Sequence, residues 1–194
     1  MEATALDKKT FKEYLYTLTR TINFIIYGSS IREGNSKDID IAVLSELERD
    51  RIVGTISNSI YAIKEIPTSN DPSLSPDRKH LIRQMYEISI YDTNICVMDI
   101  NICDAISNLI PKENLDADIN LLYYGANGYG VIHNLPGKNE NETIEILLNK
   151  IKNKTFGDPF KEFRCNGFGI SEEKYKSRIQ KLIDKGFKKE EING

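Results

Sequence analysis

Two aspartates, Asp38 and Asp40, stand two residues apart in the stretch Asp-Ile-Asp-Ile-Ala-Val-Leu. Acid alternating with isoleucine reads as a strand. Both carboxylates then leave one face, while Ile39 and Ile41 point to a core. Side by side they repel unless a cation sits between them. Magnesium takes hard oxygen ligands and often combines one or two carboxylates with the phosphates of a substrate. Upstream, the apolar run from Ile22 to Tyr27 ends in Gly28-Ser29-Ser30. Gly28 lets the backbone turn and lets a phosphate approach where a Cβ would otherwise stand. Ser29 and Ser30 offer hydroxyls and can open a short helix whose N–H groups attract anions. Arg32 and Lys37 are nearby candidate partners of phosphate. The segment thus offers a grip on phosphate and on metal within one strand–turn–strand unit.

The elements that must hold these residues can be read from periodicity. A helix is predicted over Asp7 to Thr19, with Asp7 as its N-cap, and a strand over Ile22 to Tyr27. Gly34-Asn35-Ser36 makes a turn before the strand from Asp38 to Leu44. Ser45 to Ser57 reads as a helix, with Glu48 completing a capping box. Ser59 to Ile66 reads as a strand, Pro67 to Pro76 as a loop and Asp77 to Tyr86 as a helix. Asn94 to Ile102 is a strand with one acid, Asp99, in an apolar run. Asp104 to Leu109 is a short helix. Leu121 to Ile132 has strand character bent by Gly125, Gly128 and Gly130. Helices follow over Asn141 to Lys152 and Ser171 to Lys185, the second stopped by Gly186.

The stretch from Tyr27 to Leu44 resembles the signature of the nucleotidyltransferase superfamily with the DNA polymerase beta-like fold. That signature is an apolar strand, Gly-Ser, a spacer of about ten residues, then Asp-h-Asp-h with h apolar. Here Gly28-Ser29 is followed by Ser30 to Lys37 and then Asp38-Ile39-Asp40-Ile41. The family has a third carboxylate on a later strand. Val97-Met98-Asp99-Ile100 is the best match, and Asp92, in a turn-like Tyr-Asp-Thr-Asn setting, is the weaker one. The resemblance runs over residues 7 to 102 and leaves the rest of the chain without a pattern.

The resemblance implies two magnesium ions, replaceable by manganese, held by Asp38, Asp40 and Asp99. Asp99 would also help deprotonate the acceptor. It implies triphosphate binding by Gly28, Ser29, Ser30 and Lys37, and transfer of a nucleoside monophosphate, with ATP the expected donor, to an acceptor hydroxyl. The acceptor classes are a nucleic-acid 3′ end, a small molecule and a protein side chain. The alternative reading is a non-catalytic binding or regulatory module on the same fold, favoured if Asp99 points into the core.

Charge is unevenly spread. From Lys150 to Lys189 there are 12 Lys/Arg against 5 Asp/Glu, whereas residues 1–149 hold 14 against 22. Lys174, Arg178, Lys181 and Lys185 share one helical face, and Ile179, Leu182 and Ile183 lie on another. Such a stripe suits a nucleic-acid acceptor; a solvated lysine face is the plainer reading. Cys96, Cys103 and Cys165 form no metal-binding pattern, and His80 and His133 are isolated, so zinc is not expected. Sparse cysteines and no long apolar run point to a cytoplasmic protein outside the membrane. The expected fold is α/β: a small mixed sheet of three to five strands, with helices on one side. The expected division is a catalytic domain over 1–136 and a helical, basic extension over 137–194.

Overall fold

The computed structural model describes residues 2–33, 38–67, 82–164 and 170–190. Lys37, His80, Cys165, the Gly34-Asn35-Ser36 turn and most of the predicted 67–76 loop lie outside the described residues. The chain forms two compact units, residues 1–109 with 123–128 and residues 110–122 with 129–194.

The architecture is mixed α/β, with a mainly antiparallel sheet of seven strands in the order β3-β4-β5-β2-β1-β6-β7. These are β1 Ile25–Tyr27, β2 Asp38–Val43, β3 Ala62–Ile66, β4 Ile82–Ile90, β5 Thr93–Ile102, β6 Leu122–Gly125 and β7 Gly128–Val131. β2 and β5 are parallel. β1 pairs antiparallel with β2 and β6, and β4 with β3 and β5.

The sheet is wider than expected for two reasons. The glycine-rich segment predicted as one bent strand is two strands joined by a tight turn. Residues 82–86, predicted to end a helix, instead begin β4. Tyr86, Ile88 and Ile90 are buried at a spacing of two, so burial on one face decides for a strand. Two residues, Tyr91 and Asp92, both at positive φ, turn β4 back into β5. The primed hairpin turns require that conformation. Asp92 thus belongs to a tight turn.

In the first unit, one face of the sheet is core. Ile26, Ile39, Ile41, Met98, Ile100 and Ile88 are fully buried there. Helix α1 (Glu2–Leu18) contributes Phe11 and Leu15, and helix α3 (Glu46–Ser57) contributes Ile52 and Ile56. α1 begins upstream of Asp7, the cap expected for it. α3 starts at its expected cap, with the Ser45 hydroxyl accepting from the Glu48 N–H. Gly54 lies inside α3 with nothing within 4 Å of a Cβ added there. Gly54→Ala is therefore expected to raise stability by about 0.5–1 kcal/mol, read as a higher melting temperature, because glycine is a poor helix former.

The second unit is built on helices α4 (Glu140–Asn153) and α6 (Glu172–Asp184), with a parallel pair, β8 Thr155–Phe156 and β9 Lys188–Lys189. A short helix, α5 (Lys161–Arg164), precedes α6. Asn139 and Glu142 form a reciprocal capping box at the start of α4. Ala117, Ile119, Phe156, Leu182 and Phe187 form this unit's core. Of the apolar face of α6, Leu182 is buried, while Ile183 is 45% exposed. Among the described residues no helix is long and apolar enough to cross a membrane.

Candidate active site

The face of β2 opposite Ile39 and Ile41 carries Asp38 and Asp40. Asp38 is exposed, and Asp40 is half-buried. The parallel pairing of β2 with β5 sets Asp40 opposite Asp99, and the β1–β2 pairing sets Tyr27 opposite Asp40. Tyr123, Tyr27, Asp40, Asp99 and Met85 consequently form one row across five strands. Matched positions on adjacent strands share a face, so Asp40 and Asp99 are brought together by register.

Asp40 responds to this crowding. Burial, then the charges of Asp99 and Asp38, push its carboxyl from the ordinary 3.8 up to about 6, against the opposing pull of Arg83 and Arg32. Asp99 and Asp38 thus both act on Asp40, and a cation entering beside it would relieve that repulsion.

Gly28 presses on the same carboxylate. Its φ is 69°, and a Cβ at this position would stand 2.8 Å from Asp40 Oδ2. Any side chain would both strain the backbone and push the acid aside. Gly28→Ala is therefore expected to cost about 1–3 kcal/mol of stability and to displace Asp40. A melting temperature equal to wild type would show that the turn after β1 relaxes without strain.

After Gly28, helix α2 spans Ser29–Arg32. Ser29 is partly exposed, whereas Ser30 is fully buried. The Ser30 hydroxyl donates to the Asp38 carbonyl at 3.2 Å and accepts from the Asp40 N–H at 3.3 Å. Ser30, expected among the phosphate ligands, therefore pins the start of β2 and sits too deep to meet a nucleotide. The Arg32 guanidinium is largely buried, 3.8 Å from Glu33.

Asp99 is 5% exposed. Arg83 on β4 donates to its Oδ2 from Nε at 2.7 Å, with Nη2 at 2.6 Å from the same oxygen. The hydrogen bond to Asp99 pushes the guanidinium pKa up, burial opposing it. Asn101 Nδ2 lies 3.4 Å from the other Asp99 oxygen and donates to the Tyr27 hydroxyl at 3.0 Å. Sequence reasoning missed Arg83, Asn101 and Tyr27. Asn101 was within reach of it, because it stands two after Asp99 and so shares its face. Arg83 was hidden by the helix expected over its segment.

Among the described residues no group of three or more His, Cys, Asp and Glu side chains is arranged to hold a metal ion. The expected three-acid set is therefore not assembled as it stands, since the Asp99 carboxylate is engaged by Arg83. Asp38 and Asp40 fit a hard cation: they are oxygen donors on one face, crowded by like charge, beside a glycine with no Cβ to intrude. Asp99 Oδ2 becomes a ligand oxygen only once Arg83 releases it.

No protein-family model matches this chain, and no curated protein matches it.

Proposed function

We propose that this chain is a nucleotidyltransferase that moves a nucleoside monophosphate from a triphosphate, ATP foremost, to an acceptor hydroxyl. The observation that carries this reading is the Asp40–Asp99 register beside Asp38 and Gly28, with the Asp40 carboxyl raised to about 6 by burial and its neighbours. Magnesium, when bound, would supply charge neutralisation at the transferring phosphate. Asp38 and Asp40 would hold it. Gly28, without a Cβ, leaves the Asp40 carboxylate its place, and Ser29, partly exposed at the turn, would offer a hydroxyl to the phosphates. Asn101 meets Asp99 from two residues along β5, and Tyr27 on β1 accepts from Asn101.

The test is incubation with α-labelled ATP and magnesium, with RNA, DNA, small hydroxyl compounds and the protein itself as acceptors. Label on one acceptor class, lost in Asp38→Ala, supports the reading. No transfer to any acceptor sinks it.

A second reading, a non-catalytic module on this sheet, is favoured by one observation: Asp99 is buried and already neutralised by Arg83. ATP binding without transfer would decide for it.

For the acceptor we propose a nucleic-acid 3′ end, on the basis of the stripe formed by Lys174, Arg178, Lys181 and Lys185 along α6. Three of the four are exposed, while Arg178 is partly held by Asp116 at 3.5 Å. Replacing all four with Gln is expected to reduce oligonucleotide transfer about tenfold or more at low salt, and to flatten its salt dependence, with ATP affinity unchanged. Equal salt slopes in variant and wild type would move the small-molecule and protein acceptors ahead.

A further inference from the structure

Arg83 is placed unusually for a structural counter-ion. Its partner is buried, with the Asp99 side chain 8% exposed, yet its own side chain is 45% exposed. Nε and Nη2 both go to one oxygen, Asp99 Oδ2. In the β4–β5 ladder Arg83 stands opposite Asn101, and Met85 stands opposite Asp99. The guanidinium therefore reaches Asp99 along a diagonal from the solvent side. A long side chain in that position can leave by rotating about its own torsions, with β4 unmoved.

The oxygen it covers belongs to the acid set in register with Asp40. A guanidinium hydrogen-bonded at 2.6–2.7 Å and a divalent cation cannot both hold that oxygen, because their charges repel and their positions overlap. Three acids, Asp38, Asp40 and Asp99, stand against two arginines, Arg83 and Arg32, and Arg32 is shared with Glu33, so the cluster retains attraction for a further cation.

We infer that Arg83 and a divalent cation are alternative partners of Asp99, and that metal loading hands the Arg83 guanidinium over to the phosphates of the incoming nucleotide. The inference rests on the metal-site reading above. A planar fork of N–H donors matches phosphate oxygens as well as it matches a carboxylate. Arg83 thus positions Asp99 when no metal is bound and would hold phosphate once metal is. The exchange makes metal and nucleotide binding mutually favourable, since each stabilises the state in which Arg83 has left Asp99.

The test is manganese binding to the full-length protein, followed by electron paramagnetic resonance of the free ion. Wild type, Arg83→Gln, Asp99→Asn and the double variant are compared, with Asp40→Asn defining the site. Removing the competitor is expected to tighten manganese binding in Arg83→Gln at least tenfold. Asp99→Asn and the double variant are expected to show no such gain. If Arg83→Gln leaves the buried acid too costly for folding, Arg83→Lys, which loses the fork but keeps a charge, is expected to tighten binding about threefold. With manganese saturating, ATP is expected to bind Arg83→Gln about tenfold more weakly than wild type. Equal manganese affinities in wild type and the Arg83 variants, at a site lost in Asp40→Asn, would overturn the competition while leaving the metal site standing. No manganese binding by any variant would overturn the metal site itself. Unchanged ATP affinity in manganese-loaded Arg83→Gln would overturn the hand-over.

Discussion

Asp40→Asn should abolish the proposed nucleotidyl transfer and, without metal, make the protein more stable. Two physical effects of one carboxylate are responsible. Asp40 is the central member of the acid set, flanked by Asp38 on its own strand and by Asp99 on the next. Losing its charge removes a ligand from the proposed site, and a loss of about a thousandfold, or roughly 4 kcal/mol of transition-state stabilisation, is expected. In the metal-free protein the same charge is a burden. Burial and its neighbours raise its carboxyl to about 6, above the ordinary 3.8. A raised acid means that the folded state holds the proton more tightly than the unfolded chain does. Stability therefore falls as pH rises from about 4 to about 6, by up to roughly 3 kcal/mol in total, and then levels off. Asn at this position removes that fall. Melting curves in EDTA should show the variant above wild type at pH 7 by several degrees, with the gap closing towards pH 4. A variant no more stable than wild type at pH 7 would show that Asp40 is not electrostatically crowded. Near-normal transfer by it would remove Asp40 from the site.

The acid pair and its turn were legible because their signals are local. Asp-Ile-Asp-Ile states its own strand and its own faces, and Ile39 and Ile41 are fully buried accordingly. Gly28 itself takes the positive φ of its turn, and Ser45 with Glu48 marks a helix start. What escaped the sequence depends on residues far apart in the chain. Arg83 meets Asp99 across sixteen positions, through a hairpin whose turn residues include a tyrosine, a residue that seldom adopts positive φ. Residues 82–86 read as helix until β3 and β5 are in place on either side of them. Ser30 has the right chemistry for an anion, and only its complete burial reassigns it to holding β2. The glycine-rich segment gives the same composition for a bent strand and for two strands with a turn between them. The place of β7 beside β6 in the sheet separates the two.

The second unit holds an ion pair that no sequence signal marked, and breaking it from one side should be far worse than breaking it from the other. Asp118 is 1% exposed and receives Lys150 Nζ at 2.7 Å and the Gly157 N–H at 2.8 Å. Lys150 also meets Glu190 at 2.5 Å and is itself 17% exposed. Burial alone would lower the Lys150 pKa, but the hydrogen bonds to Asp118 and Glu190 outweigh it and raise the value. Lys150→Met leaves a buried carboxylate with one backbone donor. An unpaired buried charge costs about 3–5 kcal/mol. Asp118→Asn keeps an acceptor for the Gly157 N–H and leaves Lys150 with Glu190, so about 1–2 kcal/mol is expected. The double variant should recover much of the Lys150→Met loss, because the stranded charge is gone. Because the lysine pKa is raised, the stabilisation it brings is complete below about 10.4 and fades as pH rises beyond that. Native-state hydrogen exchange at Gly157, whose amide donates to Asp118, reads this opening directly. Protection there should drop about a hundredfold or more in Lys150→Met and about tenfold in Asp118→Asn. Equal losses in the two single variants, adding in the double, would show that Asp118 draws its stability from the backbone and that the ammonium is dispensable.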